Sequence, residues 1–149
     1  GTCMFEGTLL SEGRGSTKPF QMIGAPGIDW RWAEDLNAAK LPAVRFRENY
    51  FVPTFDKFTG KTCGGVEVQV SDPHSFDPIR TAVTMLVTAK KRYPSIFGWR
   101  SDDWIDKLTG SNRLRTMIDA GAGVDDVIGA WQKELSDFRQ SRQQYLLYP

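Results

Sequence analysis

Thr62-Cys63-Gly64-Gly65-Val66-Glu67-Val68-Gln69-Val70, followed closely by Asp77-Pro78-Ile79, divides this chain into two kinds of structure. The alternation after Gly65 puts Val66, Val68 and Val70 on one face of a strand. The glycine pair before it permits tight backbone packing or a bulge. Asp77 is a helix N-cap with Pro78 in the first turn. Ile79, Val83, Leu86 and Val87 then recur at helical spacing. Lys90-Lys91-Arg92 complements the helix C-terminus, and Tyr93-Pro94 ends it. Strands and loops are predicted before this boundary, helices after it.

Working outward, Val44-Arg45-Phe46-Arg47 alternates and reads as a strand running toward Val52. Asp29 can cap a helix through Ala39, with Trp32, Leu36 and Ala39 as its apolar stripe. Phe20 to Gly24 reads as a short strand, and Cys3 to Leu10 as strand-like. Beyond the central helix, two short helices are predicted near Asp102–Leu108 and Asn112–Ala120, the first capped at Ser101 with Trp104 packed beneath. Asp125 or Asp126 opens a last helix, with Val127, Trp131, Leu135 and Phe138 as one apolar face. Tyr145-Leu146-Leu147-Tyr148 either finishes that helix or leaves it as an edge strand. Trp32 and Trp131 read as core. The fold class is α+β, one domain over residues 1–149. A small mixed or antiparallel sheet from the N-terminal half is covered by helices from the C-terminal half.

The 149 residues are 40% hydrophobic and 25% charged, a globular composition, with a net charge of +1. That balance removes the usual reason to expect a nucleic-acid partner. The most apolar run, Ala82 to Ala89, is broken by Thr84 and Thr88, so no membrane span is expected. The chain opens on Gly1 without a Met, which reads as a cut from something longer. Two cysteines and one histidine leave little for a zinc site. His74 lies in the turn-like Asp72-Pro73-His74-Ser75. Cys3 and Cys63 either pair, in an oxidising compartment, or are two small buried thiols. There is no phosphate-binding loop, dinucleotide fingerprint or metal-ligand spacing, so no cofactor is expected.

Chemistry concentrates between Glu6 and Phe20. Glu6 and Glu12 would lie roughly 20 Å apart on a fully extended chain. A glycosidase needs two carboxyls about 5 to 9.5 Å apart. Only a turn at Gly7 or near Ser11 could bring the pair together. Arg14 sits between Gly13 and Gly15, which permit positive φ and close ligand approach. Its guanidinium can offer a two-pronged fork to a carboxylate or phosphate. Ser11, Ser16 and Thr17 add hydroxyls suited to a sugar. A surface hairpin in which Arg14 pairs with Glu12 accounts for the same residues. Phe51, Phe55 and Phe58 lie on a Pro-containing loop, either as a rim for sugar stacking or pinned to the core.

The stretch Glu6-Gly7-Thr8-Leu9-Leu10-Ser11-Glu12-Gly13-Arg14-Gly15-Ser16-Thr17-Lys18-Pro19-Phe20 resembles the signature of the NamZ-type exo-β-N-acetylmuramidases, a former family of unknown function. Ile23-Gly24-Ala25-Pro26, Val44-Arg45-Phe46-Arg47, Pro53-Thr54-Phe55 with Lys57, Cys63-Gly64-Gly65-Val66 and Tyr145-Leu146-Leu147-Tyr148 match in order. The likeness spans essentially the whole chain. It implies the C-terminal, substrate-facing domain of a longer enzyme with a Rossmann-like N-terminal half. It implies release of terminal N-acetylmuramic acid from the non-reducing ends of peptidoglycan fragments, with the catalytic glutamate in the other half. The fragment is then inactive alone. The alternative is a non-catalytic sugar-binding or interdomain docking module.

The resemblance carries the family's paired glutamates onto Glu6 and Glu12, the catalytic candidates, and its arginine onto Arg14. With Ser11, Thr17 and Phe55, the residues Glu12 and Arg14 make the expected substrate-binding set. Leu9 stands where the family usually has Asn, which points to a lost contact or altered specificity. The expected partners are muramic-acid-containing peptidoglycan fragments and the N-terminal half. The implied compartment is the periplasm or cell exterior, with cytoplasmic recycling as the other setting.

Overall fold

A computed structural model describes residues 1–148. Three strands, β1 (Met22–Ala25), β2 (Val44–Phe51) and β3 (Cys63–Val70), form an antiparallel sheet in the order β1-β3-β2. Period-two geometry gives the sheet two distinct faces. The register pairs Ile23 with Val66 and Phe46 with Val68, which puts these residues on one face. Helix α1 (Arg31–Ala38) packs there against β2 and β3, and α2 (Pro78–Arg92) packs on α1. Ile23, Val66, Phe46, Trp32, Leu36, Val83 and Leu86 form the main core. The opposite face carries a second cluster of Met22, Phe51 and Cys63, covered by Phe58.

The expected α+β class and its sheet are present, and several local expectations hold with a physical cause. The Asp77 carboxylate accepts from the N–H groups of Ile79 and Arg80, closing the first turn of α2. Trp32 Nε1 donates to Thr88 Oγ1 at 3.0 Å, joining α1 to α2. The Asn37 side chain bonds both the N–H and the C=O of Phe46, fixing the end of α1 to the edge strand β2. Glycine is required at 65, where a Cβ would lie 2.0 Å from the Ile23 carbonyl oxygen across the β1–β3 pair.

Other expectations need correction. Thr2–Gly7 is a 3-10 helix, not part of a strand: Phe5 is buried, and Gly7 lies against the backbone of Ile105 where a side chain would not fit. Asp29 lies one residue ahead of the N-cap of α1, although its carboxylate accepts from the Arg31 N–H. The short helices are α3 (Trp104–Thr109) and α4 (Arg113–Asp119), and the first begins at Asp103, in left-handed conformation, rather than at Ser101. The last predicted helix is two, α5 (Val124–Gly129) and α6 (Gln132–Arg142), broken at Trp131. Val127 is buried and Trp131 packs against the core, but α6 buries none of its residues. A 3-10 turn over Gln143–Tyr145 follows, and residues 146–148 form no strand. Of the two readings of the cysteines the unpaired one is found, with one change: Cys63 is buried, but Cys3 is exposed.

Candidate functional site

Three anchors bend the segment from Glu6 to Phe20 into a compact turn. Ser11 and Gly24 exchange backbone hydrogen bonds of 2.8 and 3.0 Å, so the segment runs along the β1 edge. Leu9 N–H donates to Gly98 C=O and Arg100 N–H to Gly7 C=O, tying it to the chain after α2. Thr54 donates to the Gly15 carbonyl through both its backbone N–H and its hydroxyl, docking the 53–60 loop. Gly15 has φ +77°, and a Cβ there would lie 2.7 Å from the Phe55 backbone. The bracketing glycine is therefore fixed by both conformation and space.

This bend brings Glu6, Glu12 and Arg14 together. Arg14 Nε donates to Glu12 Oε1 at 2.9 Å, and its Nη2 lies 3.4 Å from Glu6 Oε1. Asp56 adds a third carboxylate, 3.8 Å from Nε. The guanidinium carbon sits 5.1 Å from the centre of the Phe20 ring, a cation–π geometry. The bond to Glu12 is the only hydrogen bond Arg14 makes among the described residues. Nη2 is already paired with Glu6, so Nη1 is the guanidinium nitrogen left without a partner among the described residues, and the side chain is 40% exposed.

Glu12 is different in kind. It is 3% exposed, with Arg14 on one oxygen and Lys57 Nζ on the other at 2.8 Å. Lys57 Nζ also donates to the carbonyls of Leu10 at 3.0 Å and Phe5 at 3.2 Å. An ammonium has three protons to give, and here each has an acceptor. Lys57 is a strut between the 53–60 loop and the N-terminal turn. Sequence reasoning placed Lys57 among the matching residues without giving it a role. Its setting in a loop of aromatics, Pro and Gly was the available signal.

The remaining expected residues separate. Ser11 is 2% exposed, and its hydroxyl accepts from the Gly13 N–H, so it shapes the turn from inside. Thr17 is exposed. Phe55 is 61% exposed. Of the other loop phenylalanines, Phe51 is buried and Phe58 covers the second cluster. His74 lies in an exposed turn closed by the Asp72 carboxylate, as its tetrapeptide implied.

Beside the cluster lies an open cleft of about 850 Å³. Leu9, Phe58 and Ile96 give it apolar surface, while Asp56, Lys57 and Arg100 give it charge. Arg100 Nη1 reaches back to the Glu6 carbonyl at 3.4 Å. Leu9 is 49% exposed and lies over Gly98. Three non-glycine residues at this site hold left-handed backbone: Phe20 at φ 64°, Asp56 at 70° and Phe58 at 60°. Such conformations cost on the order of 1–3 kcal/mol each and gather at ligand sites. Among the described residues no group of three His, Cys, Asp or Glu is placed to hold a metal ion, and no helix is long and apolar enough to cross a membrane.

A smaller concavity of about 400 Å³ lies by the sheet, lined by Phe20, Glu67, Val68 and Phe76 among others. Glu67 is 3% exposed, with Lys18 on one oxygen at 2.6 Å and Arg47 on the other at 2.5 Å. These cations hold its carboxyl below the usual range. Both carboxylate oxygens are engaged within the protein, whereas the Arg14 cluster borders the larger cleft and keeps Nη1 free.

Residues 1–148 match the family model described as exo-β-N-acetylmuramidase NamZ, C-terminal. The chain is 41% identical over 148 residues to the peptidoglycan β-N-acetylmuramidase NamZ of Bacillus subtilis (strain 168), covering 99% of this chain and 36% of that protein. It is also similar to two solved DUF1343 family proteins of Bacteroides fragilis NCTC 9343. The first has a TM-score of 0.87 and 26% identity, covering 95% of this chain and 38% of the other. The second has a TM-score of 0.67 and 25% identity, covering 99% and 38%. This chain thus spans little more than a third of the proteins it resembles. From the signature turn at Glu6–Phe20 to the tail at Tyr148, it belongs to the NamZ C-terminal family.

Proposed function

We propose that this chain is the substrate-facing C-terminal part of an exo-β-N-acetylmuramidase, paired with an upstream Rossmann-like half that supplies the catalytic glutamate. The observation that carries this is the Arg14 guanidinium, held at Nε by buried Glu12, flanked at Nη2 by Glu6 and open at Nη1. N-Acetylmuramic acid differs from N-acetylglucosamine by a lactyl ether ending in a carboxylate. An arginine oriented through Nε, with Nη1 free and Nη2 held only by the longer Glu6 contact, is a fit reader of that group. Glu6, the more exposed of the two glutamates, orients a sugar hydroxyl or acts as the second carboxylate. Glu12 holds Arg14 rather than touching substrate. Muramic-acid-containing peptidoglycan fragments are the substrate class, and a cell-exterior or periplasmic setting follows from that substrate.

Arg14→Ala in the two-domain enzyme should lower kcat/KM on muramoyl substrates far more than on plain glucosaminides. Equal loss on both rejects the carboxylate-reading role. The second reading is a docking module, favoured by how completely Lys57 and Glu12 are engaged within the protein. A chromogenic N-acetylmuraminide separates the two. Turnover only by the two-domain polypeptide supports the first. No turnover by either leaves the docking role.

A further inference from the structure

The apolar stripe that the sequence sets up at the C-terminus leaves the core before it ends. Trp131 packs against the core and Leu135 is half-buried. Phe138, on the same face of α6, is already 60% exposed. The tail follows, with Tyr145 77%, Leu146 47%, Leu147 90% and Tyr148 82% exposed. On the opposite face of this largely polar helix Lys133 and Asp137 pair in solvent at 2.7 Å, and Phe138 is its one exposed apolar side chain. Its base is nonetheless fixed. Arg113 donates to the Ala130 carbonyl and both oxygens of Glu134, each at 2.8–3.0 Å.

An exposed Phe138 on a fixed helix, followed by four exposed large side chains at residues 145–148, marks an interaction surface. The family match runs through residue 148, so the tail belongs to the shared domain rather than being an appendage. In the three similar proteins the matched part is only 36–38% of the polypeptide, so in each this domain is joined to a larger body of chain. We infer that the stripe from Leu135 through Phe138 to the Tyr145–Tyr148 tail docks against the upstream half of the same polypeptide. The inference rests on the two-domain reading above. The helix then acts as a return strap, with its base on this domain and its apolar side on the other.

The test is hydrogen exchange by mass spectrometry on this chain alone and on the two-domain polypeptide. Amides of residues 135–148 should exchange at least about tenfold more slowly in the longer protein. Phe138→Asp with Leu147→Asp should remove that protection, and should leave the melting of this chain alone unchanged. Equal exchange in both proteins overturns the inference. So does a concentration-dependent dimer of this chain that the double variant abolishes, because the occupant is then a second copy. Protection of the tail without muraminide turnover keeps the strap and rejects the enzymatic reading. Turnover with an unprotected tail does the reverse.

Discussion

Lys57→Met tests whether the buried strut is energetically real. The methionine keeps most of the aliphatic stem and removes the ammonium. Glu12, 3% exposed, would keep Arg14 on one oxygen and lose its partner on the other. Breaking a buried ion pair from one side costs about 3–5 kcal/mol. The surviving Arg14 bond brings this toward about 2 kcal/mol. The Phe5 carbonyl keeps donors from the Thr8 N–H and hydroxyl, so it adds little. The Leu10 carbonyl has Lys57 as its donor, and leaving it bare costs about 1 kcal/mol more. The sum is about 3 kcal/mol, or roughly 6–12 °C in Tm for a domain of this size. Urea unfolding followed by tryptophan fluorescence reads it directly. Glu12→Gln in the Lys57→Met background should recover part of the loss, because no unpaired carboxylate then remains. A loss below about 1 kcal/mol, with no recovery, would show that the ammonium is solvated and that its three acceptors are not a buried cage.

Gly15→Ala should cost about 2–4 kcal/mol, from left-handed backbone and contact with Phe55, whereas Gly60→Ala, left-handed in open space, should cost about 1 kcal/mol; paired denaturation curves compare them. Lys18 and, next, Arg47 hold the Glu67 carboxyl below its ordinary pKa, so its contribution is complete above about pH 4.5 and fades as pH falls through the lowered folded value. Glu67→Gln should therefore make stability fall less steeply on acidification, measured by urea midpoints across pH 2–6. Burial alone pushes the Cys63 thiol up to about 11. Iodoacetamide at neutral pH should label exposed Cys3 and spare Cys63 until the protein unfolds, as read by peptide mass spectrometry.

What was legible in the sequence followed simple periodicity. Alternation marked β2 and β3, and the Asp77–Pro78 pair marked α2 to the residue. Cys3 to Leu10 misled because Met4 and Phe5 sit side by side with no period, and the packing of Gly7 on Ile105 is a tertiary fact. The stripe from Val127 to Phe138 reads as one helix, but the chain breaks at Trp131, and a helical pattern does not say what it packs against. At the site, an even spacing of Glu6 and Glu12 said nothing useful, because the chain between them is bent by contacts to β1 and to Gly98. The bracketing of Arg14 by glycines was informative, since Gly13 and Gly15 both adopt φ near +77°. The separation of a buried Glu12 from a more exposed Glu6 depended on Lys57, which lies 45 residues further along the chain than Glu12.

The lysine strut has one mechanical consequence. Leu9 and Phe58 both border the cleft, and the segments that carry them are joined by the Lys57 ammonium and by the paired Thr54 bonds to Gly15. The width at that point is set by these fixed links, not by whatever enters. The opening behaves as a rigid aperture rather than as jaws, and any gating of access must come from outside this domain.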